Sequence, residues 1–351
     1  MTDFNGKMIT LARESRALTQ SELAEKLRCE PSTLCKVEYG SLPAKDVFVS
    51  DLVSILNYPI HFFHQEFSIA PPNIHYRKHL SLPAKIVRKA DAIMNIYRAN
   101  IDKMLKSIEY ISPAIPSVDE YKYDMPRKVA MFMRSYWKVP SGPINDLVAL
   151  VERFGIMVIM LDYETDKIDG RSMTTESGHP IIFLNKHMAG ERQRLTLAHE
   201  LGHIIMHMKT IPTFARDEEA EAFEFASEFL MPGDEIKHQL PSKVTIEKLF
   251  DLKRIWKVSV AALIMSAEKL GRITNNQSRY LWMQYSKGGY RKSGEPIPIS
   301  IDRPTIVERL IQIFSDGNKF SKSEMAQLFC LNESEYDEKY ITPVQRMRIV
   351  I

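Results

Sequence analysis

The chain has 351 residues, a net charge of +3, 44% hydrophobic and 26% charged residues. This composition excludes an intrinsically disordered chain, and the length is sufficient for two or three domains with a substantial core. The nearly neutral charge does not by itself indicate a class of partner.

The cysteine content and the lack of long apolar runs indicate in which cellular compartment the protein is expected. The three cysteines, Cys29, Cys35 and Cys330, are too few for a disulfide framework, which favours a reducing environment. The first residues lack a charged segment followed by an apolar core, so we expect no signal peptide. No apolar run approaches the roughly 18 residues that span a bilayer. We therefore expect a cytoplasmic protein with no membrane partner.

The N-terminal part of the chain is predicted to be a small helical domain. Residues 7–66 are expected to form five short helices. Thr19 and Glu22 have the spacing of a capping box at the start of the second helix, and Pro31 opens the third. A proline-rich break at 69–73 then predicts the first linker.

The segment that follows this break is basic. Residues 71–109 carry eight Lys or Arg and only three acidic residues. One long helix over 83–109 is predicted from its apolar spacing. No internal repeat is apparent anywhere in the chain.

The middle of the chain is predicted to combine helices with a small sheet. The pattern is helical over 121–153, and short apolar runs at 154–161 and 180–184 indicate strands of one sheet. Two further helices are predicted over 191–208 and 217–230.

The most informative motif is His199-Glu200-Leu201-Gly202-His203 within the helical run. Histidines four residues apart lie on one face of a helix, where both imidazoles can bind one Zn²⁺. The glutamate between them can act as a general base. The alternative is a helix with two histidines of structural role only.

A tetrahedral zinc site needs a third protein ligand, for which His207, Glu218, Glu219 and Glu221 are candidates. His207 lies one turn farther along the same helix, where a metal seated between the first two histidines is hard to reach. On a helical wheel over 217–230, Glu218 and Glu219 flank the apolar stripe and Glu221 lies farther round. Periodicity therefore favours Glu218 or Glu219.

The motif and its surroundings resemble a known family. Segments 192–207 and 219–232 are similar to the ImmA/IrrE family of metallo-endopeptidases, and the resemblance extends over roughly 130–240. It implies Glu219 as the third zinc ligand and one zinc per chain. The family usually has Asn where this chain has Phe223, so a hydrogen bond that supports a metal ligand is expected to be missing.

The resemblance also implies a reaction. Zinc held by His199, His203 and Glu219 would assist hydrolysis of a peptide bond, with Glu200 moving the proton from the attacking water to the leaving amine. The implied substrate is a specific protein, typically another helix-turn-helix repressor, in a stress, phage or mobile-element response.

The segments 18–27 and 31–40 resemble the XRE/Cro-like helix-turn-helix domain. Its second helix is expected to lie in the major groove of a DNA operator, and such modules usually act as dimers, so a homodimer is also expected. The residues implied to contact DNA are Gln20 at a phosphate and Glu30, Ser32, Thr33 and Lys36 at base edges.

The net charge of this domain supports DNA binding less than the resemblance does. Residues 1–70 contain seven Lys or Arg and nine Asp or Glu, a net charge of −2, whereas phosphate contact usually leaves a basic surface. The basic helix after residue 71 could supply that surface. The alternative is a helical bundle that contacts protein.

The predicted fold class is mainly α and multi-domain. The expected segments are an all-α helix-turn-helix domain at 1–70, a basic helical linker at 71–120, an α+β zincin-like metallopeptidase domain with a small sheet at 121–245, and a helical C-terminal extension at 246–351. The extension is similar to that of longer family members, but its role is not implied.

Two functions are compatible with these segments. The first is a DNA-binding transcriptional regulator whose zinc endopeptidase domain hydrolyses a specific protein. The second is a repressor or antitoxin-like DNA-binding protein whose peptidase domain is a sensor or scaffold without proteolysis. Glu200 favours the first function, because a scaffold does not need a general base.

Overall fold

The computed structural model describes residues 4–43, 46–70, 82–116, 125–208 and 217–341. These residues are mainly helical with one small sheet, which confirms the predicted fold class. The predicted linker at 69–73 and the start of the basic segment 71–109 lie largely outside the described residues. Among the described helices, none is both long and apolar enough to cross a membrane.

The chain divides into two compact units. The first comprises Met1–Glu109, Thr175–Ser177 and Ile306–Ile351, and the second comprises Tyr110–Thr174 and Gly178–Thr305. The predicted segment boundaries cut across this division, because the C-terminal extension contributes helices to both units.

The first unit begins with four α-helices and a 3-10 turn, followed by a long helix. These are α1 Gly6–Ser15, α2 Gln20–Lys26, α3 Pro31–Glu38, α4 Asp46–Leu56, the 3-10 helix Ile60–His64 and α5 Ala84–Leu105. The predicted capping box is present: the Thr19 hydroxyl accepts from the Glu22 amide at 3.2 Å, and the Glu22 carboxylate accepts from the Thr19 amide at 2.7 Å.

A buried ion pair joins the first and third helices of this unit. Arg13 donates to both carboxylate oxygens of Glu38, at 2.6 and 3.1 Å, and both side chains are almost fully buried. Because a lone buried charge is costly, removing either partner would leave the other uncompensated. The pair thus holds α3 against α1.

The second unit contains the sheet and the central helices. Its strands are β1 Met157–Leu161, β2 Gly170–Thr174 and β3 Pro180–Asn185, and its helices are α6 Pro126–Tyr136, α7 Leu147–Arg153, α8 Gly190–Met206, α9 Glu218–Leu230, α10 Gly233–Gln239, α11 Ile246–Trp256, α12 Val260–Lys269, α13 Asn275–Lys287 and α14 Tyr290–Ser293.

The sheet has the strand order β1-β3-β2, in which β3 is parallel to β1 and antiparallel to β2. All six residues of β3 are buried, as expected of a central strand between packed layers. The sequence pattern missed β2, because Gly170-Arg-Ser-Met-Thr174 shows no alternation of apolar and polar residues. The helical pattern predicted over 121–153 is interrupted between α6 and α7, where Lys138 and Gly142 have positive φ angles.

Three helices complete the first unit after the end of the second. They are α15 Ile306–Asn318, α16 Lys322–Leu328 and α17 Glu333–Tyr340. Helix α15 packs against α5, and α16 packs against α17.

Candidate metal centre

Helix α8 carries the histidine-glutamate motif in the core of the second unit. Leu197, Ala198 and Leu201 are fully buried around it. His199 and Glu200 are 8% and 9% exposed. Both side chains therefore keep only a small contact with solvent.

The three predicted metal ligands converge. His199 Nε2 lies 3.1 Å from His203 Nε2, while the Glu219 carboxylate oxygens lie 3.3 Å from His199 Nε2 and 3.5 Å from His203 Nε2. Metal bonds of about 2.0–2.2 Å place the ligand atoms of a tetrahedral site about 3.3–3.6 Å apart. Among the described residues, this is the group of histidine, cysteine and acidic side chains that can hold a metal ion. Both its spacing and its two-imidazole, one-carboxylate composition fit zinc.

The structure separates the third-ligand candidates that periodicity leaves open. Glu219 belongs to the cluster, whereas Glu218, the buried first residue of α9, does not. His207 lies behind His203, with 3.0 Å between their Nδ1 atoms, and its Nε2 lies 2.9 Å from a Glu221 oxygen. His207 and Glu221 therefore form a chain of contacts that orients His203 from outside the ligand cluster.

The electrostatics of the cluster favour a charged carboxylate. Burial acts to raise the pKa of Glu219, but hydrogen bonds with His199 and His203 outweigh it and hold that pKa well below its usual range. Burial also acts to lower the pKa of His203, yet its hydrogen bond with Glu219 raises it overall. Burial lowers the pKa of His207. An anionic Glu219 is the form that a cation needs.

Gly202 sets the distance between the two ligand-bearing helices. A Cβ atom placed there would lie 3.1 Å from Phe225 Cδ1 and 3.3 Å from the Ala222 Cα. Since contacts this short are tighter than most real Cβ contacts, a larger residue would force α9 away from α8. The glycine inside the motif thus lets α9 bring Glu219 to the two histidines.

We expect Gly202→Val to destabilise the second unit by about 1–3 kcal/mol, because its methyl groups overpack the seam between α8 and α9. The displacement also moves Glu219, so zinc affinity should fall as well. Thermal unfolding and zinc titration measure the two effects, with Gly202→Ala as the milder control. Wild-type zinc affinity in Gly202→Val would contradict the spacing role of this glycine.

Phe223 stands where the resembled family usually has Asn, and it contacts the predicted ligand His199. Its ring centroid is 4.3 Å from that of His199, and the side chain is 52% exposed. The buried His199 Nδ1 has no hydrogen-bond partner among the residues that the structure describes. Metal-bound histidines almost always donate this second N–H to a partner. The expected missing hydrogen bond therefore coincides with an unpartnered ligand atom.

We expect Phe223→Asn to raise zinc affinity by about 10–100-fold, the range typical of a partner that orients a ligand. A side-chain amide at this position can accept the His199 Nδ1–H that now has no acceptor. Competition with a chelator measures the change. Phe223→Ala is the control, because it removes the ring without adding an acceptor. Equal affinities for the Asn and Ala variants would rule out the hydrogen bond as the cause.

The residues implied to contact DNA lie in the first unit, on α2 and α3 and in the turn between them. Glu30, Ser32 and Lys36 are exposed and Thr33 is half-exposed. The Gln20 side chain donates to Glu38 Oε2 at 2.6 Å, so this amide already has an internal partner. Their DNA contacts stay a prediction.

Sequence reasoning did not single out one further exposed side chain next to α3. Tyr39, just after the end of the helix, is 88% exposed. Its position in the chain, three residues after Lys36, places an aromatic ring close to the residues implied to contact DNA. The sequence pattern could not identify it, because Tyr39 follows the apolar stripe and, together with Gly40, is typical of a helix end.

Two histidines and a glutamate from adjacent helices, with a second glutamate inside the motif, define the class of a metallopeptidase. Residues 151–267 match the family model of the IrrE N-terminal-like domain, Peptidase_M78. The match includes α8 and α9, and it supports a metallopeptidase of the ImmA/IrrE type in this part of the chain. A metal is implied by that family. No curated protein matches the chain significantly.

Proposed function

We propose that this chain is a zinc-dependent endopeptidase that cleaves a specific protein and that also carries a DNA-binding helix-turn-helix unit. The observation that carries the proposal is the convergence of His199 and His203 on α8 with Glu219 on α9, beside Glu200. The match to the metallopeptidase family supports the same reaction.

The residues of the cluster would supply the metal ligands and the general base of peptide hydrolysis. Zinc bound to the three ligands would polarise the scissile carbonyl and make the attacking water more acidic. The Glu200 carboxylate takes the proton from that water and passes it to the leaving amine. His207 and Glu221 keep the His203 imidazole oriented, and Gly202 keeps Glu219 in place.

A cleft next to the metal ligands has room for a side chain of the substrate. It has a volume of about 420 Å³, and its lining combines Phe223, Met231, Met265 and Leu270 with the charged Arg127, Glu224, Glu228, Glu268 and Lys269. Phe223 contacts His199 on one side and the cleft on the other. A substrate side chain in this cleft would meet both apolar and charged groups, which would favour selective cleavage over general digestion.

The substrate we propose is a helix-turn-helix repressor, in a stress, phage or mobile-element response. The direct experiment incubates the zinc-loaded chain with the repressor encoded beside its own gene and analyses the fragments by mass spectrometry. One cleavage that depends on Glu200 supports the proposal. Intact repressor would redirect the search to another protein, and a domain without any protein substrate would be a sensor or scaffold.

DNA binding by the first unit predicts a defined mutational effect. Thr33→Ala with Lys36→Ala should abolish the gel shift of the chain's own promoter, because both side chains belong to the exposed face of α3. Lys36→Ala alone should weaken binding by about 1–3 kcal/mol and relax the preference for the base that Lys36 contacts. Lys26→Ala, on α2, is the matched exposed control. An unchanged shift in the double variant would contradict the assigned reading face.

A further inference from the structure

The C-terminal helices reproduce the backbone of the N-terminal helix-turn-helix segment. Every boundary recurs 302 positions later: α2 spans Gln20–Lys26 and α16 spans Lys322–Leu328, while α3 spans Pro31–Glu38 and α17 spans Glu333–Tyr340. The same helix lengths and the same turn length at one constant offset indicate a repeated unit.

The local geometry of the two segments also agrees. Arg28 and Cys330, at equivalent places in the turn, have φ angles of 53° and 54°. Ala17 and Lys319, before the first helix of each pair, have φ angles of 52° and 56°. Left-handed conformations are uncommon for such residues. Two matching pairs of left-handed residues, both 302 positions apart, are therefore specific evidence that the two segments have the same backbone conformation.

Hydrogen bonds and caps repeat in the same register. The Cys29 amide donates to the Ala24 carbonyl at 3.0 Å, and the Leu331 amide donates to the Ala326 carbonyl at 2.9 Å. The capping box of Thr19 and Glu22 recurs at Ser321 and Glu324. The equivalent buried apolar residues of the preceding helices are Met8, Ile9 and Ala12 in α1, and Leu310, Ile311 and Phe314 in α15.

The correspondence is not apparent in the sequence. Between 18–38 and 320–340 the identical residues are Ser21, Glu22, Ala24 and Ser32, with their counterparts 302 positions later. So few identities do not stand out in a chain of this length. The backbone retains the relationship because caps, turns and core positions accept different residues of similar type.

The third helix of the C-terminal unit has the wrong charge to read DNA. Helix α17 carries four acidic residues, Glu333, Glu335, Asp337 and Glu338, against one Lys339. The counterparts of Thr33 and Lys36 are Glu335 and Glu338. Acidic side chains at these positions would repel phosphates, which dominate affinity for DNA.

The C-terminal helix-turn-helix unit, residues 306–340, instead contacts the N-terminal one, at the ends of α1 and α4, through charged and polar groups. Arg16 donates to both carboxylate oxygens of Glu335, at 3.0 and 2.7 Å, and to the Leu56 carbonyl at 2.8 Å. Asn332 donates to the Asn57 carbonyl at 3.0 Å. These contacts cover the C-terminal ends of α1 and α4, while Ser32 and Lys36 on α3 stay exposed.

Helix α5 holds the C-terminal unit from another direction. Tyr97 donates to the Lys339 carbonyl at 3.0 Å, and Lys103 donates to the Leu328 carbonyl at 3.1 Å. Both acceptors lie at helix ends, where carbonyls otherwise lack intrahelical partners. The Leu328 and Lys339 carbonyls, at the ends of α16 and α17, thus receive hydrogen bonds from α5.

We propose that residues 306–340 are a second helix-turn-helix unit that serves as the built-in partner of the first and does not contact DNA. It contacts the C-terminal ends of α1 and α4 within the same chain. These contacts stabilise the N-terminal helix-turn-helix unit without a second subunit. The homodimer expected from the sequence is then not required. The claim that residues 306–340 do not contact DNA rests on the proposed DNA binding of the N-terminal helix-turn-helix unit. The claim that the two helix-turn-helix units contact each other does not depend on DNA binding.

Hydrogen exchange of the full-length chain tests the partnership. In Glu335→Ala, exchange of amides at the C-terminal ends of α1 and α4 should rise about tenfold, because Arg16 loses its carboxylate partner. Glu338→Ala, on the same helix and exposed, should leave exchange unchanged. Glu335→Gln retains an acceptor and should give a smaller rise, which keeps the test valid if the Ala variant folds poorly.

Two outcomes would overturn the proposal. The first is wild-type exchange in both Glu335 variants, and the second is a light-scattering mass of two chains with α1 and α4 protection that depends on protein concentration. A gel shift with a random 30-base-pair duplex tests the DNA part separately. Lys36→Glu should weaken it and Glu338→Gln should not. If the wild type binds no DNA, the proposed DNA binding fails while the exchange result still decides the partnership.

Discussion

Glu200→Gln is expected to bind one zinc per chain with wild-type affinity and to lose peptide hydrolysis by about 10²–10⁴-fold, the range of general acid-base catalysis. Glutamine has nearly the same shape as glutamate, so the buried α8 face can keep its packing. It cannot take a proton from the attacking water at neutral pH. Metal content by mass spectrometry and turnover of the protein substrate measure the two properties in one preparation.

The control for Glu200→Gln is an acid-to-amide change that does not touch the metal centre. Asp251→Asn on α11 serves this purpose, because Asp251 pairs with Arg254 on the surface at 3.3 Å. It should retain both zinc and activity. Cleavage that persists at the wild-type rate in Glu200→Gln would remove Glu200 from the mechanism, whatever the zinc content.

Glu219→Ala should lower zinc affinity at least about 100-fold, since changes to groups that merely orient a ligand already cost 10–100-fold. Two histidines on one helix would remain, and the charge that the cluster presents to a cation would be lost. Zinc titration against a chelator measures the loss. Because a ligand that binds only the folded state stabilises it, zinc should also raise the Tm of the wild type far more than that of this variant.

Glu218→Ala is the matched comparison for the third ligand. Glu218 is the neighbouring residue on α9 and the other candidate that the helical wheel leaves open, but it lies outside the ligand cluster. Its variant should keep most of the zinc affinity. A loss in Glu218→Ala that equals the loss in Glu219→Ala would mean that the two acids act on the metal together.

Much of the metal centre could be predicted from local patterns. The spacing of His199 and His203 needs one helix, and α8 has nearly the predicted bounds. The third ligand is harder to predict, because it depends on how two helices pack. Periodicity leaves Glu218 and Glu219 open, and the close approach of α9 at Gly202 separates them in the structure.

Other features could not be predicted because they depend on distant parts of the chain. Strand β2 has no apolar alternation, and it forms by pairing with the buried β3. The contact between His199 and Phe223 joins two different helices, so it depends on how α8 and α9 pack. The C-terminal helix-turn-helix unit could not be predicted from the sequence, because it resembles the N-terminal unit in φ angles, caps and core spacing rather than in residue identity.

The measurement that tests the central claim most directly is a survey of new protein N-termini in cells that express either the wild type or Glu200→Gln at equal levels. The survey covers every protein in the cell, so the substrate does not have to be identified beforehand. We predict one or a few new N-termini that appear only with the wild type, within a helix-turn-helix protein, and that disappear when zinc binding is removed by Glu219→Ala. Identical sets of N-termini in all three cultures would contradict a proteolytic function.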